Sequence, residues 1–248
     1  MKTILITGAT SGIGKATAEL LAQESHRLIL CGRRSERLTA LKDKLATEVH
    51  TLQFDVRDRK AVFTAIDSLP KEWKQIDVLI NNAGNAHGLD PVHTANLDDW
   101  DVMIDGNVKG LMYVTKAVLP QMTTRKSGHI INLGSIAGLE VYPNGNAYCA
   151  SKYAVDAFTQ GLRIDLNPFG IRVGAIHPGL VETEFSMVRF KGDQKRSDNV
   201  YNTLDALQAI DVAHSIIFMI NAPAHVTIAD LTILPTDQAN ATIVNRRK

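Results

Sequence analysis

The feature that most constrains this chain is the junction after its first apolar run. Thr3-Ile4-Leu5-Ile6-Thr7 passes into Gly8-Ala9-Thr10-Ser11-Gly12-Ile13-Gly14, and helical sequence follows at once. Gly8 permits a tight turn, Gly12 lets the backbone approach an anion closely, and Gly14 lets the helix pack on a sheet. The free N–H groups at the start of such a helix suit a pyrophosphate. Thr10, Ser11 and Ile13 complete the loop. The spacing is G-x-x-x-G-x-G rather than the commoner G-x-G-x-x-G, and a purely structural strand-to-helix turn would read the same way.

The rest of the chain supports the nucleotide-binding alternative. Strands are expected at 3–7, 27–31, 49–54, 76–80, 128–134, 171–176 and 226–234. Helices are expected at 13–24, 36–46, 58–68, 98–123, 147–166 and 207–221. Strands alternating with helices imply right-handed crossovers and a parallel sheet. Runs such as Val78-Leu79-Ile80 are apolar throughout, as strands covered on both faces should be. No repeat or linker divides residues 1–248, so a single α/β domain is expected. Residues 179–205 break the alternation, and their mixture of Phe185, Arg189, Phe190 and Tyr201 with polar residues suggests a substrate lid.

The second strand ends in Cys31-Gly32-Arg33-Arg34, with no carboxylate there to accept bonds from a ribose 2′-hydroxyl. Two cations at the start of the next helix oppose its dipole unless an anion joins them. A 2′-phosphate fits the guanidinium groups of Arg33 and Arg34, so NADP is expected over NAD.

A formal net charge of +1 gives no strong pull toward nucleic acid or an anionic membrane. The apolar runs are far too short for a membrane helix. Cys31 and Cys149 supply neither a disulfide framework nor a metal-ligand set, and no metal is expected. The start of the chain lacks the pattern of a signal peptide, and a cytoplasmic setting is the expectation.

Together, the glycine turn, Asn81-Asn82-Ala83-Gly84 and Tyr148-Cys149-Ala150-Ser151-Lys152 resemble the classical short-chain dehydrogenase/reductase family over essentially the whole chain. The resemblance implies a Rossmann-type, doubly wound parallel sheet in order 3-2-1-4-5-6-7. It implies adenine contact by Asp55 and Val56, and cofactor support by Asn81, Ala83 and Gly84. Pro178-Gly179 resembles the turn beside the nicotinamide, and Val181 and Thr183 resemble the residues that hold its carboxamide. The implied catalytic set is Asn107, Ser135, Tyr148 and Lys152. A nearer resemblance, carried by segments such as Val188-Arg189-Phe190-Lys191-Gly192-Asp193, is to the NADP-dependent serine and 3-hydroxy acid dehydrogenase branch. His177 departs from it where that branch can carry an acid, and Asn144, Asn146 and Cys149 also depart.

These residue types suit hydride transfer from an alcohol. Tyrosine is a weak base at its ordinary pKa of about 10, and lowering it by ~2–3 units requires roughly 3–4 kcal/mol. An ammonium ~4 Å away supplies about 4 kcal/mol at an effective dielectric near 20. Lys152 falls four residues after Tyr148, on the same helical face. Ser135 sits just past the fifth strand, placed to donate to the substrate oxygen. The resemblance gives Asn107 a water-linked proton relay.

Arg189 is the candidate for a substrate carboxylate, because it stands between Val188 and Phe190. The expected substrate is a small 3-hydroxy acid or β-hydroxy amino acid. A general aldehyde or ketone reductase and a non-catalytic NADP sensor remain the alternatives. The resemblance implies a homotetramer or homodimer paired through helices 98–123 and 147–166. Residues 240–248 are expected to form either a disordered basic tail or an arm toward a neighbouring subunit.

Overall fold

The computed structural model describes residues 1–246. Its strands are β1 (Thr3–Thr7), β2 (Arg27–Gly32), β3 (Val49–Gln53), β4 (Val78–Asn81), β5 (Gly128–Leu133), β6 (Ile171–Pro178), β7 (Val181–Glu182), β8 (Leu207–Gln208) and β9 (Asp230–Ile233). Its α-helices are α1 (Gly12–Gln23), α2 (Ser35–Lys44), α3 (Arg59–Asp67), α4 (Leu97–Ile104), α5 (Leu111–Arg125), α6 (Asn146–Leu166), α7 (Phe185–Arg189), α8 (Gln194–Tyr201) and α9 (Ala209–Asn221).

Seven strands form one parallel sheet in the order β3-β2-β1-β4-β5-β6-β9. This is the expected doubly wound order, with β9 as the seventh strand because β7 and β8 pair separately. Strand alternation divides the core. Ile4 and Ile6 face a layer with Ala18, Leu21 and Ile216 from α1 and α9. Leu5 faces Val62, Val114 and Leu162 from α3, α5 and α6. Leu5 is fully buried, so Leu5→Ala would cost about 2–5 kcal/mol.

The single helix expected at 98–123 is interrupted. Residues Asp105–Gly110 form a π-helical turn between α4 and α5. Gly110 lies there so close to Val56 that a Cβ would meet the Val56 side chain at 2.7 Å. The extra residue shifts the apolar pattern by one position at a single point, between two segments that each keep helical period, so a window of periodicity does not reveal it. The last strand, Asp230–Ile233, is shorter than the expected 226–234, and Val226 N–H instead closes a turn onto Pro223. Leu207 and Gln208 precede α9 as β8, and Gln208 forms a capping box with Asp211.

Residues 179–205 carry β7, α7 and α8, with Ser186, Phe190 and Ser197 buried. Residues 240–246 correct the expectation of a free tail. Val244 bridges Gln238, and the Arg246 guanidinium donates to the carbonyls of Val200 and Asn202. Those bonds hold the segment against α8 of its own chain. Arg247 and Lys248 lie outside the described residues. No helix among the described residues is long and apolar enough to cross a membrane.

Candidate active site

The sheet order reverses direction between β1 and β4, and a groove opens there at the carboxyl ends of the strands. Gly8 and Gly12 line it in left-handed conformations, with φ of +66° and +51°. Ser11 caps α1 without a side-chain cap bond, so the helix N-terminus faces the groove. Thr10, Ser11 and Ile13 line the groove as well. Gly14 does not. It lies beneath, where a Cβ would meet Asn82 Nδ2 at 2.4 Å and the Gly8 carbonyl at 2.5 Å.

Arg34 lines the groove with its guanidinium fixed by the hydroxyls of Thr10 and Ser11, each at 2.9 Å from Nη2. Arg33 lies 3.7 Å from Asp55, which also pairs with Arg57 at 2.6 Å. Sequence reasoning missed two residues here. Glu184, at the start of α7, takes hydrogen bonds from Arg34 at 3.1 Å and Arg37 at 2.7 Å. Burial raises the Glu184 carboxyl, and the two guanidinium groups more than reverse this, holding it below its ordinary range. The arginines therefore already attract an anion. Glu184 and Arg37 are 147 positions apart, so only tertiary structure reveals their pairing.

Asp55, Val56, Ala83 and Gly84 line the middle of the groove. Pro178, Gly179, Val181 and Thr183 line its far wall. Asn81 is absent from the lining. Its amide donates to Thr115 and Asn132 at 2.9 Å each, forming a buried polar ladder under the site. Asn107, in the π-helical turn, is also set back. Its amide donates to the Asn85 carbonyl at 2.8 Å and Ser151 at 3.0 Å, while its Oδ1 accepts from Asn85 N–H. It thus ties the loop after β4 to α6.

Ser135, Tyr148 and Lys152 converge at the inner end of the groove. The Ser135 hydroxyl lies close enough to Tyr148 to favour its ionised form. Lys152 donates to the Leu133 carbonyl at 2.7 Å. Its ammonium lies 6.0 Å from the Tyr148 ring centroid. Burial lowers Lys152 to about 8. Burial and neighbouring Tyr142 raise the Tyr148 phenol, opposed by the Ser135 hydroxyl and by the charge of Arg189.

Arg189 reaches this cluster from α7. Its guanidinium lies 5.6 Å from the Tyr148 ring and 5.5 Å from the Tyr142 ring, with Nε donating to the Gly88 carbonyl at 3.1 Å. Phe185 and Val188, from the same helix, line the groove. Sequence reading found no metal-ligand group, but folding assembles Asp156, His177 and Asp230 behind Ser135.

A doubly wound sheet, a glycine turn at its switch point and a Ser-Tyr-Lys cluster define the class of Rossmann-type oxidoreductases. The comparisons agree. The short chain dehydrogenase family profile matches residues 2–194, and the chain belongs to that family. It is 48% identical over 239 residues to the NADP-dependent 3-hydroxy acid dehydrogenase YdfG of Salmonella typhi, covering 96% of each chain. It is also 48% identical to sulfoacetaldehyde reductase 2 of Chromohalobacter salexigens over 95% of each chain. Among solved structures, the closed form of a serine dehydrogenase complexed with NADP⁺ superposes with a TM-score of 0.95 at 46% identity, covering 99% of this chain and 100% of that one. Serine dehydrogenase from Escherichia coli superposes with a TM-score of 0.85 at 43% identity, covering 96% and 99%.

Proposed function

We propose that this protein is an NADP-dependent dehydrogenase of small anionic alcohols, foremost 3-hydroxy acids and β-hydroxy amino acids such as serine. The observation that carries this reading is the Arg189 guanidinium 5.6 Å from the ring of Tyr148, the residue that lines the groove beside Ser135 and Lys152. The related proteins named above act on a 3-hydroxy acid, serine or sulfoacetaldehyde, each with an acidic group close to the reacting carbon.

The residues fit the cofactor. The α1 N-terminus and the Gly8–Gly12 turn suit its pyrophosphate, and Arg34, with Arg33 nearby, suits the 2′-phosphate. Asp55 and Val56 would flank the adenine, with Ala83 and Gly84 beside the ribose. Pro178, Gly179, Val181 and Thr183 would hold the nicotinamide end. When bound, NADP supplies the hydride acceptor or donor.

Tyr148 removes the alcohol proton in oxidation and returns it in reduction. Ser135 donates a hydrogen bond to the substrate oxygen. The charge of Arg189, whose guanidinium lies 5.6 Å from the ring, favours tyrosinate, and Lys152 brings a second cation 6.0 Å from the same ring. Arg189 binds the substrate's acidic group, and residues 179–205 serve as the lid that brings it in. The likeness to a closed, NADP⁺-complexed relative supports that closure. Asn107 acts by holding the loop after β4 in place.

The proposed assembly is a homotetramer in the cytoplasm. Exposed Tyr153 and Ile164 on α6 suit a subunit contact. The buried free thiols Cys31 and Cys149 suit a reducing compartment.

The test is absorbance at 340 nm with NADP⁺ or NAD⁺ against serine, 3-hydroxypropionate, 3-hydroxyisobutyrate and an uncharged alcohol. NADP⁺-dependent turnover confined to the acids is expected. Arg189→Ala should raise KM for the acids and leave the uncharged alcohol nearly unchanged. Equal losses on both would remove Arg189 from the carboxylate role, and preferred turnover of the uncharged alcohol would favour a general carbonyl reductase.

A further inference from the structure

Helix α7 has five residues, Phe185–Arg189, and both of its ends are tied to other parts of the fold. At the C-terminal end, the Gly88 N–H donates to the Arg189 carbonyl at 2.9 Å, and Arg189 Nε donates back to the Gly88 carbonyl at 3.1 Å. Just past the helix, Lys191 pairs with the buried Asp99 of α4 at 2.9 Å. These contacts hold α7 to the loop after β4, with the Arg189 guanidinium 5.6 Å from the Tyr148 ring.

The N-terminal end is tied through Glu184, the N-cap residue, whose carbonyl accepts from the Val188 N–H at 3.0 Å. One oxygen of its carboxylate accepts from Arg34 at 3.1 Å and the other from Arg37 at 2.7 Å. Both arginines stand at the start of α2, one turn apart. Arg34 lines the groove, whereas Arg37 lies outside the lining, and its partner is the lid. A lone exposed ion pair contributes little. Here one carboxylate joins two guanidinium groups, and Arg34 is already fixed by Thr10 and Ser11, so less side-chain freedom is lost in pairing. Along α7, Glu184 and Arg189 are about 7.5 Å apart. Releasing one end of so short a helix lets it pivot on the other.

We propose that Glu184 is a positioning residue that, with Arg37, latches α7 to α2 and so holds Arg189 where an anionic substrate meets Tyr148. The inference rests on the reading of Arg189 as the site for the substrate's acidic group. It has a consequence that general loosening of the lid lacks. The Glu184 carboxylate stands beside Arg34, where the cofactor's 2′-phosphate is expected, and its like charge opposes that phosphate. Removing it should therefore weaken the acidic substrate without weakening NADP⁺.

The test compares wild type, Glu184→Gln, Arg37→Met and the double variant. KM for 3-hydroxypropionate at saturating NADP⁺ should rise about 3- to 10-fold in each single variant, and the double variant should be no worse than either. KM for an uncharged alcohol should change less than about 2-fold. NADP⁺ should bind Glu184→Gln as tightly as wild type, or more tightly. Hydrogen exchange gives a readout independent of substrate, since the Val188 amide in the NADP⁺ complex should exchange faster in both single variants. A wild type that prefers the uncharged alcohol would remove the hydroxy-acid reading, and the exchange rates would still decide the latch. Unchanged exchange, additive losses in the double variant, or NADP⁺ affinity that falls in step with affinity for the acid would each overturn the proposal.

Discussion

Lys152 holds its ammonium 6.0 Å from the Tyr148 ring while donating to the Leu133 carbonyl. Burial lowers this lysine to about 8, so the folded protein resists its charge. Below that pH both folded and unfolded chains carry the proton, and the cost of burying the charge is fully present. Between about pH 8 and the ordinary lysine value, only the unfolded chain keeps the proton, so stability rises with pH. Lys152→Met should therefore stabilise the cofactor-free protein by about 1–3 kcal/mol at pH 7, less whatever the bond to Leu133 contributes. It should also lower kcat severely. Thermal unfolding of both forms from pH 7 to 10 checks this, and a Lys152→Met protein less stable than wild type at pH 7 would refute it.

Tyr148→Phe removes the proton carrier and leaves most of the packing, including the 5.6 Å edge-on contact with Phe185. Its kcat should fall by roughly 10²–10⁴, with NADPH affinity by fluorescence little changed. Ser135→Ala should cost about 10²–10³ in kcat through the lost donor to the substrate oxygen. Matching losses in cofactor affinity would mean that these residues serve binding rather than proton transfer.

Arg34 is half exposed and already pinned by Thr10 and Ser11, so little conformational freedom remains for it to lose on meeting a phosphate. Arg34→Ala should raise KM for NADP⁺ by about 10- to 100-fold, the loss of one charge-assisted contact. KM for NAD⁺ should hardly move. Steady-state kinetics at two salt concentrations provide the check, since the NADP⁺ effect should shrink at high salt.

The sheet was legible because buried parallel strands announce themselves as apolar runs, and β1, β2 and β5 begin at the residues expected. The catalytic cluster was legible because Tyr148 and Lys152 lie four residues apart on one helix. What stayed hidden depends on contacts distant in sequence. Glu184 meets Arg34 across 150 positions, and His177 meets Asp156 and Asp230 only because β6 packs against α6 and β9. The π-helical turn around Asn107 was hidden for a different reason. A one-residue insertion breaks the apolar pattern at only one point, and the segments on either side each still read as helix.

The two glycines Gly14 and Gly161 make opposite predictions from the same substitution. Gly14 sits in the first turn of α1, and a methyl group would press on Asn82 Nδ2 at 2.4 Å and the Gly8 carbonyl at 2.5 Å. Neither neighbour can yield freely. Asn82 donates to Thr7 at 2.8 Å and Gly8 at 3.2 Å, which ties β1 to the loop after β4. Overpacking of this kind costs about 1–3 kcal/mol, against a helix-propensity gain of about 1 kcal/mol. Gly161 lies within α6, where a methyl group would find nothing within 4 Å. Gly161→Ala should therefore stabilise by about 0.5–1 kcal/mol, whereas Gly14→Ala should destabilise and also raise KM for NADP⁺ by displacing the turn. Urea unfolding of the two variants beside wild type decides the matter. Equal shifts in midpoint would show that the close approach of α1 to the Gly8 turn is not what requires glycine at position 14.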